Sequence, residues 1–238
     1  MGVYTMKTIL FDLDGTLLPM NLEKFMQLYI GALTEKFSPY VSPGLFRQKL
    51  LAGTKSMVMN SGRQKTNEMI FMEVFMNDLP LDQEKARFLF EEFYDKDFEV
   101  VRQSTWQDHN MIESVEVLKN KECTIAIATN PLFPRKAVHQ RVEWAGLNPE
   151  DFKFITTFEY MHSAKPNTEY YEELLEYLEA SPTETMMVGN DALEDLAAGS
   201  IGIETYLLTD HLLNESKQTI FPDHQGNTKQ FLEFVKSL

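Results

Sequence analysis

The spacing of apolar residues changes twice along the chain. Lys7 to Phe11 is a short, partly β-branched apolar run that stops at Asp12 and Gly15. That is the pattern of a buried strand ending in a tight loop. From Asn21 to about Asp97 the repeat becomes helical: Leu22, Phe25, Met26, Tyr29 and Leu33 recur at i, i+3, i+4 and i+7, and Ala86, Leu89, Phe90, Phe93 and Tyr94 repeat the pattern. Between them, Met69 to Met72 and Val74 to Met76 are apolar on most sides. Turns are expected near Ser42-Pro43-Gly44, Asn60-Ser61-Gly62 and Leu79-Pro80. No strand pattern interrupts this stretch, so it reads as an all-helical lobe.

Beyond about residue 108, helical and strand patterns alternate. The expected pairs are a helix over Met111 to Lys119 before a strand over Cys123 to Ala128, and a helix over Arg135 to Trp144 before Phe152 to Thr157. A helix over Thr168 to Leu178 precedes Thr185 to Val188, and one over Leu193 to Ala198 precedes Glu204 to Leu208. Such alternation implies right-handed βαβ units and a doubly wound parallel sheet, which the strand before Asp12 joins. The predicted fold is α/β, with residues 1–19 and 100–238 forming the core and residues 20–99 an inserted helical cap.

Composition narrows the function. Of 238 residues, 43% are hydrophobic and 24% charged, enough for a packed core. The formal net charge of −14 repels phosphate backbones and makes nucleic acid a poor partner. A small phosphate ester would be repelled too, unless cations gather at its site. The single cysteine, Cys123, excludes a disulfide framework and reads as a buried small residue. No apolar run is long enough for a membrane span. The start of the chain lacks a signal-peptide core, and Met6 stands where a myristoylation signal has Ser or Thr. The expected location is the cytoplasm.

Ligands of an open parallel sheet bind beyond the carboxyl ends of its strands. The first strand runs into Asp12-Leu13-Asp14-Gly15-Thr16, the second into Thr129-Asn130, the third by a short loop into Lys165-Pro166, and the fourth into Gly189-Asn190-Asp191 with Asp195 one turn on. Each alone is explicable as a turn or a solvated charge. Together, in this order, they put acids, a hydroxyl, an amide and a lysine on one sheet edge.

This set resembles the haloacid dehalogenase-like hydrolase superfamily, whose members are mostly phosphatases. Phe-Asp-Leu-Asp-Gly-Thr at residues 11–16 resembles its first motif, Ala-Thr-Asn at 128–130 the second, Ser-Ala-Lys-Pro at 163–166 the third, and Val-Gly-Asn-Asp-Ala-Leu-Glu-Asp at 188–195 the fourth. The helical insertion resembles the cap of one branch. The resemblance implies a Rossmann-like core and a Mg²⁺-dependent phosphatase acting on a small phosphorylated metabolite.

The chemistry follows the residues. A carboxylate can attack phosphorus and form an aspartyl-phosphate, which divides hydrolysis into two easier steps, and Asp12 is the candidate. Asp14 protonates the departing alkoxide and then activates water. So many acids beside a phosphate dianion require a hard divalent cation. The resemblance assigns the Mg²⁺ ligands to Asp12, Asp191 and the backbone carbonyl of Asp14. Lys165 holds Asp12 and the phosphoryl oxygens. The Thr129 hydroxyl and the Asn130 backbone N–H donate to the same oxygens. Asp195 orients Lys165 or a metal-bound water.

The fourth motif here reads Gly-Asn-Asp rather than the commoner Gly-Asp. Asn190 therefore competes with Asp191 as the residue facing the metal, and the Asp191-to-Asp195 spacing favours Asp191. Glu194 is expected on a solvated helix face, and none of the five histidines has a role. Within the cap, Lys55, Arg63 and Lys65 occupy a stretch without acids. They are either a substrate-binding patch, with Lys55 and Arg63 as candidates, or ordinary solvated charges.

Rival readings differ in kind. A phosphomutase shares all four motifs. A phospho-acceptor signalling module shares the acids, Thr and Lys on a doubly wound sheet, but neither the motif order nor the helical insertion. Asp14 argues against a dehalogenase, which has Tyr there, and against a phosphonate hydrolase, in which the second acid is replaced. The complete set of motif acids argues against a catalytically dead binding relative. Monomer and homodimer both stay open.

Overall fold

The computed structural model describes residues 6–214, 219 and 221–238; the Met1-Gly2 start, on which the targeting readings rest, lies outside them. The strands are β1 (Thr8–Phe11), β2 (Thr124–Ile127), β3 (Thr185–Gly189), β4 (Glu204–Leu208) and β5 (His224–Gly226). All are parallel, in the order β2-β1-β3-β4-β5. The helices are α1 (Leu22–Phe37), α2 (Pro43–Val58), α3 (Asn67–Met76), α4 (Gln83–Glu92), α5 (His109–Asn120), α6 (Arg135–Trp144), α7 (Thr168–Leu178) and α8 (Thr228–Ser237). The expected doubly wound α/β architecture is present.

Alternate residues of each strand face opposite sides, and both sides are buried. Ile9, Phe11, Ile125, Ile127, Met186 and Val188 enter one apolar cluster with α5, α8 and the helices of the insertion. Leu10, Ala126 and Met187 enter a second cluster with α7. Within the insertion, Phe37 and Phe46 stack at 4.7 Å and Phe75 meets both edge-on. Burying each such ring contributes roughly 1.5–3 kcal/mol.

Local chemistry sets the element ends. The side chains of Asn21, Thr66, Asp82 and Asp108 each accept a backbone N–H in the first turn of α1, α3, α4 and α5. Asn227 and Gln230 form a reciprocal capping box on α8. The start of α3 also fixes the insertion to the sheet loops. Buried Asn67 donates from Nδ2 to the carbonyls of Pro131 and Ser163, and its N–H donates to the Met161 carbonyl at 2.9 Å. Those loops lead out of β2 and into Lys165, so the helices are tied to the segments that carry the chemistry.

The expected strand over Phe152 to Thr157 reduces to a single bridge, Ile127 with Ile155. Backbone bonds to β2 remain, from Lys153 to the Ile125 carbonyl, from Ile127 to Phe154 and from Thr156 to Ile127, and the pairing ends where the Phe158 N–H turns to the Phe133 carbonyl. The helix expected over Leu193 to Ala198 starts later, as a 3₁₀ turn over Leu196–Ile201, because the Asp191 carboxylate captures the N–H groups of Leu193 and Glu194. Phe93 to Ser104, spanning the expected boundary at residue 99, is continuously helical. Among the described residues, no helix is long and apolar enough to cross a membrane.

Candidate active site

The four motifs meet at the carboxyl ends of the strands. The Asp12 N–H donates to the Val188 carbonyl at 2.9 Å, which binds the exit of β1 to β3. Beyond it Gly15 has φ +87, and a Cβ there would lie 2.5 Å from Asn190 Nδ2, so glycine is required by both conformation and space. Gly189 serves close approach: a Cβ would lie 2.0 Å from the Asp195 carboxylate.

Lys165 is the electrostatic centre. Its side chain is fully buried, and Nζ donates to Asp12 Oδ1 at 2.9 Å and to Asp195 Oδ1 at 2.7 Å. The other Asp195 oxygen accepts the Asp191 N–H at 2.8 Å. Asp195 therefore joins the third motif to the fourth. Burial opposes the Lys165 charge, but Asp12 and Asp195 outweigh it and hold the ammonium well above its ordinary range. Burial also raises both acids: Asp12 rises despite the attraction of Lys165, with Asp14 adding to the rise, and Asp195 reaches about 6.

Asn190 is engaged elsewhere. Its buried side chain accepts the Thr16 hydroxyl at 2.9 Å and donates to the His211 carbonyl at 2.7 Å, bracing the first motif against the loop after β4. Asp191 keeps one carboxylate oxygen on the turn it caps, and it lines a cleft of about 930 Å³ together with Asp12, Asp14, Thr129 and Asn130. The structure thus brings together every expected core residue; Lys165 and Asp195 lie directly beneath Asp12.

The cap cations do not join them. Exposed Arg63 forms a bidentate ion pair with Glu176 of α7, Lys65 pairs with Glu73, and Lys55 is exposed. Lys55 and Arg63 do not line the cleft. Arg63→Ala and Lys55→Ala are expected to leave Michaelis constants unchanged; a several-fold rise in either would restore the patch reading.

Two residues belong to the site that sequence reasoning passed over. Arg141 of α6 is fully buried, pairs with Asp14, and rests 4.4 Å from the Phe133 ring centroid. Its signal was an arginine on a helix face otherwise occupied by Ala137, Val138 and Val142. Glu194 was expected in solvent, yet it lines the cleft and accepts Asn130 Nδ2 at 2.8 Å. Tyr171 holds its backbone by donating to the Glu194 carbonyl at 2.7 Å.

Burial raises the Glu194 carboxyl from 4.5 to about 7, with Lys165 opposing and Asp12, Asp191 and Asp195 adding to the rise. Its contribution to folding is fully present below pH 4.5 and is lost as pH rises through about 7. With chelator present, wild-type stability to urea should fall across this window by on the order of 2 kcal/mol more than that of Glu194→Gln. Parallel pH profiles would show that the group does not titrate there.

The donor set suits a hard cation. Asp12, Asp14, Asp191 and Glu194 line the cleft with Asp195 beneath, and among the described residues Lys165 pairs with Asp12 and Asp195 and Arg141 with Asp14. The ligands expected from the resemblance, the Asp12 and Asp191 carboxylates and the Asp14 carbonyl, belong to residues that all line this cleft. Among the described residues no three His, Cys, Asp or Glu side chains converge as a metal site. The expected set has two such side chains and a backbone oxygen, with the remaining positions left to water and phosphate.

The sequence pattern described as haloacid dehalogenase-like hydrolase matches residues 9–207. A protein from Bacillus mycoides named pyrophosphatase PpaX is 27% identical over 207 residues, covering 83% of this chain and 81% of its own. A crystal structure of a HAD phosphatase from Thermococcus onnurineus aligns with 98% of this chain and 97% of its own, at TM-score 0.58 and 22% identity. The HAD-hydrolase YfnB from Bacillus subtilis, solved bound to magnesium, aligns with 97% and 99% at TM-score 0.57 and 16% identity.

Proposed function

The chain belongs to the haloacid dehalogenase-like hydrolases, and from that membership we propose that it is a Mg²⁺-dependent cytoplasmic phosphatase of small phosphate monoesters. The observation that carries this reading is the Asp12–Lys165–Asp195 chain beneath a cleft that Asp14 and Asp191 also line.

Asp12 attacks phosphorus, the bond to the ester oxygen breaks, and the phosphoryl group passes to the carboxylate. Asp14 gives the departing oxygen its proton. Arg141 anchors the Asp14 carboxyl through Oδ2 at the position where Asp14 lines the cleft. Asp14 then takes a proton from water, which attacks phosphorus and releases phosphate and free Asp12. Lys165 offsets the Asp12 charge throughout, and Thr129 and Asn130 supply donors for the phosphoryl oxygens. Asp12, Asp191 and the Asp14 carbonyl would hold Mg²⁺, which would supply positive charge against the phosphoryl oxygens. Asp195 serves by positioning Lys165. Residues 20–99 act as the cap that excludes water from the intermediate.

The test is phosphate release from a panel of small phosphate esters, with Mg²⁺ and with EDTA. The name of the Bacillus mycoides relative adds inorganic pyrophosphate to the panel. Catalytic, Mg²⁺-dependent release supports the reading. A single stable phosphorylation per chain would favour a phospho-acceptor module, and isomerisation without release a mutase.

A further inference from the structure

The cleft has a second wall that the phosphoryl chemistry does not use. Leu22 at the start of α1, Leu132 and Phe133 after β2, Leu193 after β3, and Leu212 and Leu213 after β4 all line it. These come from four separate segments. Leu22 is 49% exposed and Leu193 59%, values that leave large apolar side chains in water at the mouth. The polar side of the same cleft carries Asp12, Asp14, Asp191 and Glu194, and among the described lining residues there is no lysine or arginine. Lys165 and Arg141 are fully buried and already bound to carboxylates, and the Phe133 ring lies against the Arg141 guanidinium.

Resting on the phosphatase reading, we infer that this wall receives the leaving group of the ester, and that the leaving group is uncharged and largely apolar. A phosphoryl group at Asp12 leaves the remainder of the substrate to meet the leucines and Phe133. An aryl or alkyl group there removes apolar surface from water on both sides. A carboxylate or second phosphate on this wall would lose hydration without meeting a lysine or arginine among the described lining residues, beside four acids of like charge. The discrimination therefore comes from an unfavourable charge environment as much as from apolar contact.

The experiment compares alkyl phosphates of matched leaving-group acidity, one ending in a phenyl ring and one in a carboxylate, alongside pyrophosphate, all with Mg²⁺. For the phenyl ester, kcat/KM should exceed that for each anionic compound by at least about tenfold. Leu22→Lys, at a half-exposed position that tolerates substitution, should narrow the ratio by several-fold through improved use of the carboxylate ester. Lys217→Ala, outside the described residues, should leave the ranking unchanged. Equal or better use of the carboxylate ester or pyrophosphate by wild type overturns the inference while leaving the phosphatase reading intact. So does a selective loss of activity toward anionic substrates in Lys217→Ala. Failure on every compound overturns both.

Discussion

Asp12→Asn is expected to reduce Mg²⁺-dependent phosphate release by roughly 10⁴-fold or more, because the amide is a poor nucleophile toward phosphorus. The fold should survive. Asparagine has nearly the shape of aspartate, and Lys165 keeps its 2.7 Å contact with Asp195, so no buried ammonium is stranded. The sign of the stability change follows from the Asp12 environment. Burial raises its carboxyl despite Lys165, so the ionised group is destabilising when no divalent cation is bound. The melting temperature of Asp12→Asn in EDTA should then be no lower than that of wild type. Wild type should gain more from added Mg²⁺ than the variant, which would lack one of the proposed carboxylate ligands. Residual turnover within tenfold of wild type in a folded variant would remove Asp12 as the nucleophile.

How much of this was legible in the sequence depended on whether a feature is local. Helices α6 and α7 and strand β4 fall on the residues that periodicity assigns them, because each is a whole apolar stripe or run bounded by turn residues. That Asp12, Asp14, Thr129, Lys165 and Asp191 gather at one place was legible because each follows a strand pattern, and the exits of a parallel sheet share one edge. Strand β5, His-Gln-Gly, has no apolar run to signal it and exists by pairing with β4. Phe152 to Thr157 has a strand's composition and keeps backbone bonds to β2, but the pairing stops short of a full strand where Phe158 turns to the Phe133 carbonyl. Arg63 looked free of acids in its own stretch because Glu176 lies 113 residues away. Glu194 looked solvated because Asn130 of the second motif and Tyr171 of α7, which hold it, are distant in sequence. Tertiary pairing decided each of these, and no window of sequence contains it.

The strongest stability effect is expected where two charges meet out of water. With chelator present, Asp14→Ala should cost about 3–5 kcal/mol, because it leaves the Arg141 guanidinium unpaired in a fully buried position. Nε is served by the Ala137 carbonyl at 3.2 Å, but NH2 has no partner even in wild type, so the loss of Asp14 leaves little to compensate the charge. Arg141→Met should cost less. The Asp14 side chain is 27% exposed, so water reaches the carboxylate that remains, and methionine keeps contact with Phe25 and Phe133. The double variant Asp14→Ala/Arg141→Met should be more stable than Asp14→Ala alone, since it removes the stranded cation together with its partner. Urea unfolding of the four proteins at one pH gives the coupling directly. A coupling below about 0.5 kcal/mol would show that the pair does not act as a unit. A large coupling would make Arg141 the residue through which α6 holds Asp14 at the mouth of the cleft. Arg141→Met should then lower kcat more for esters of poorly acidic alcohols, which need a proton from Asp14, than for nitroaryl phosphates, whose leaving group departs without one.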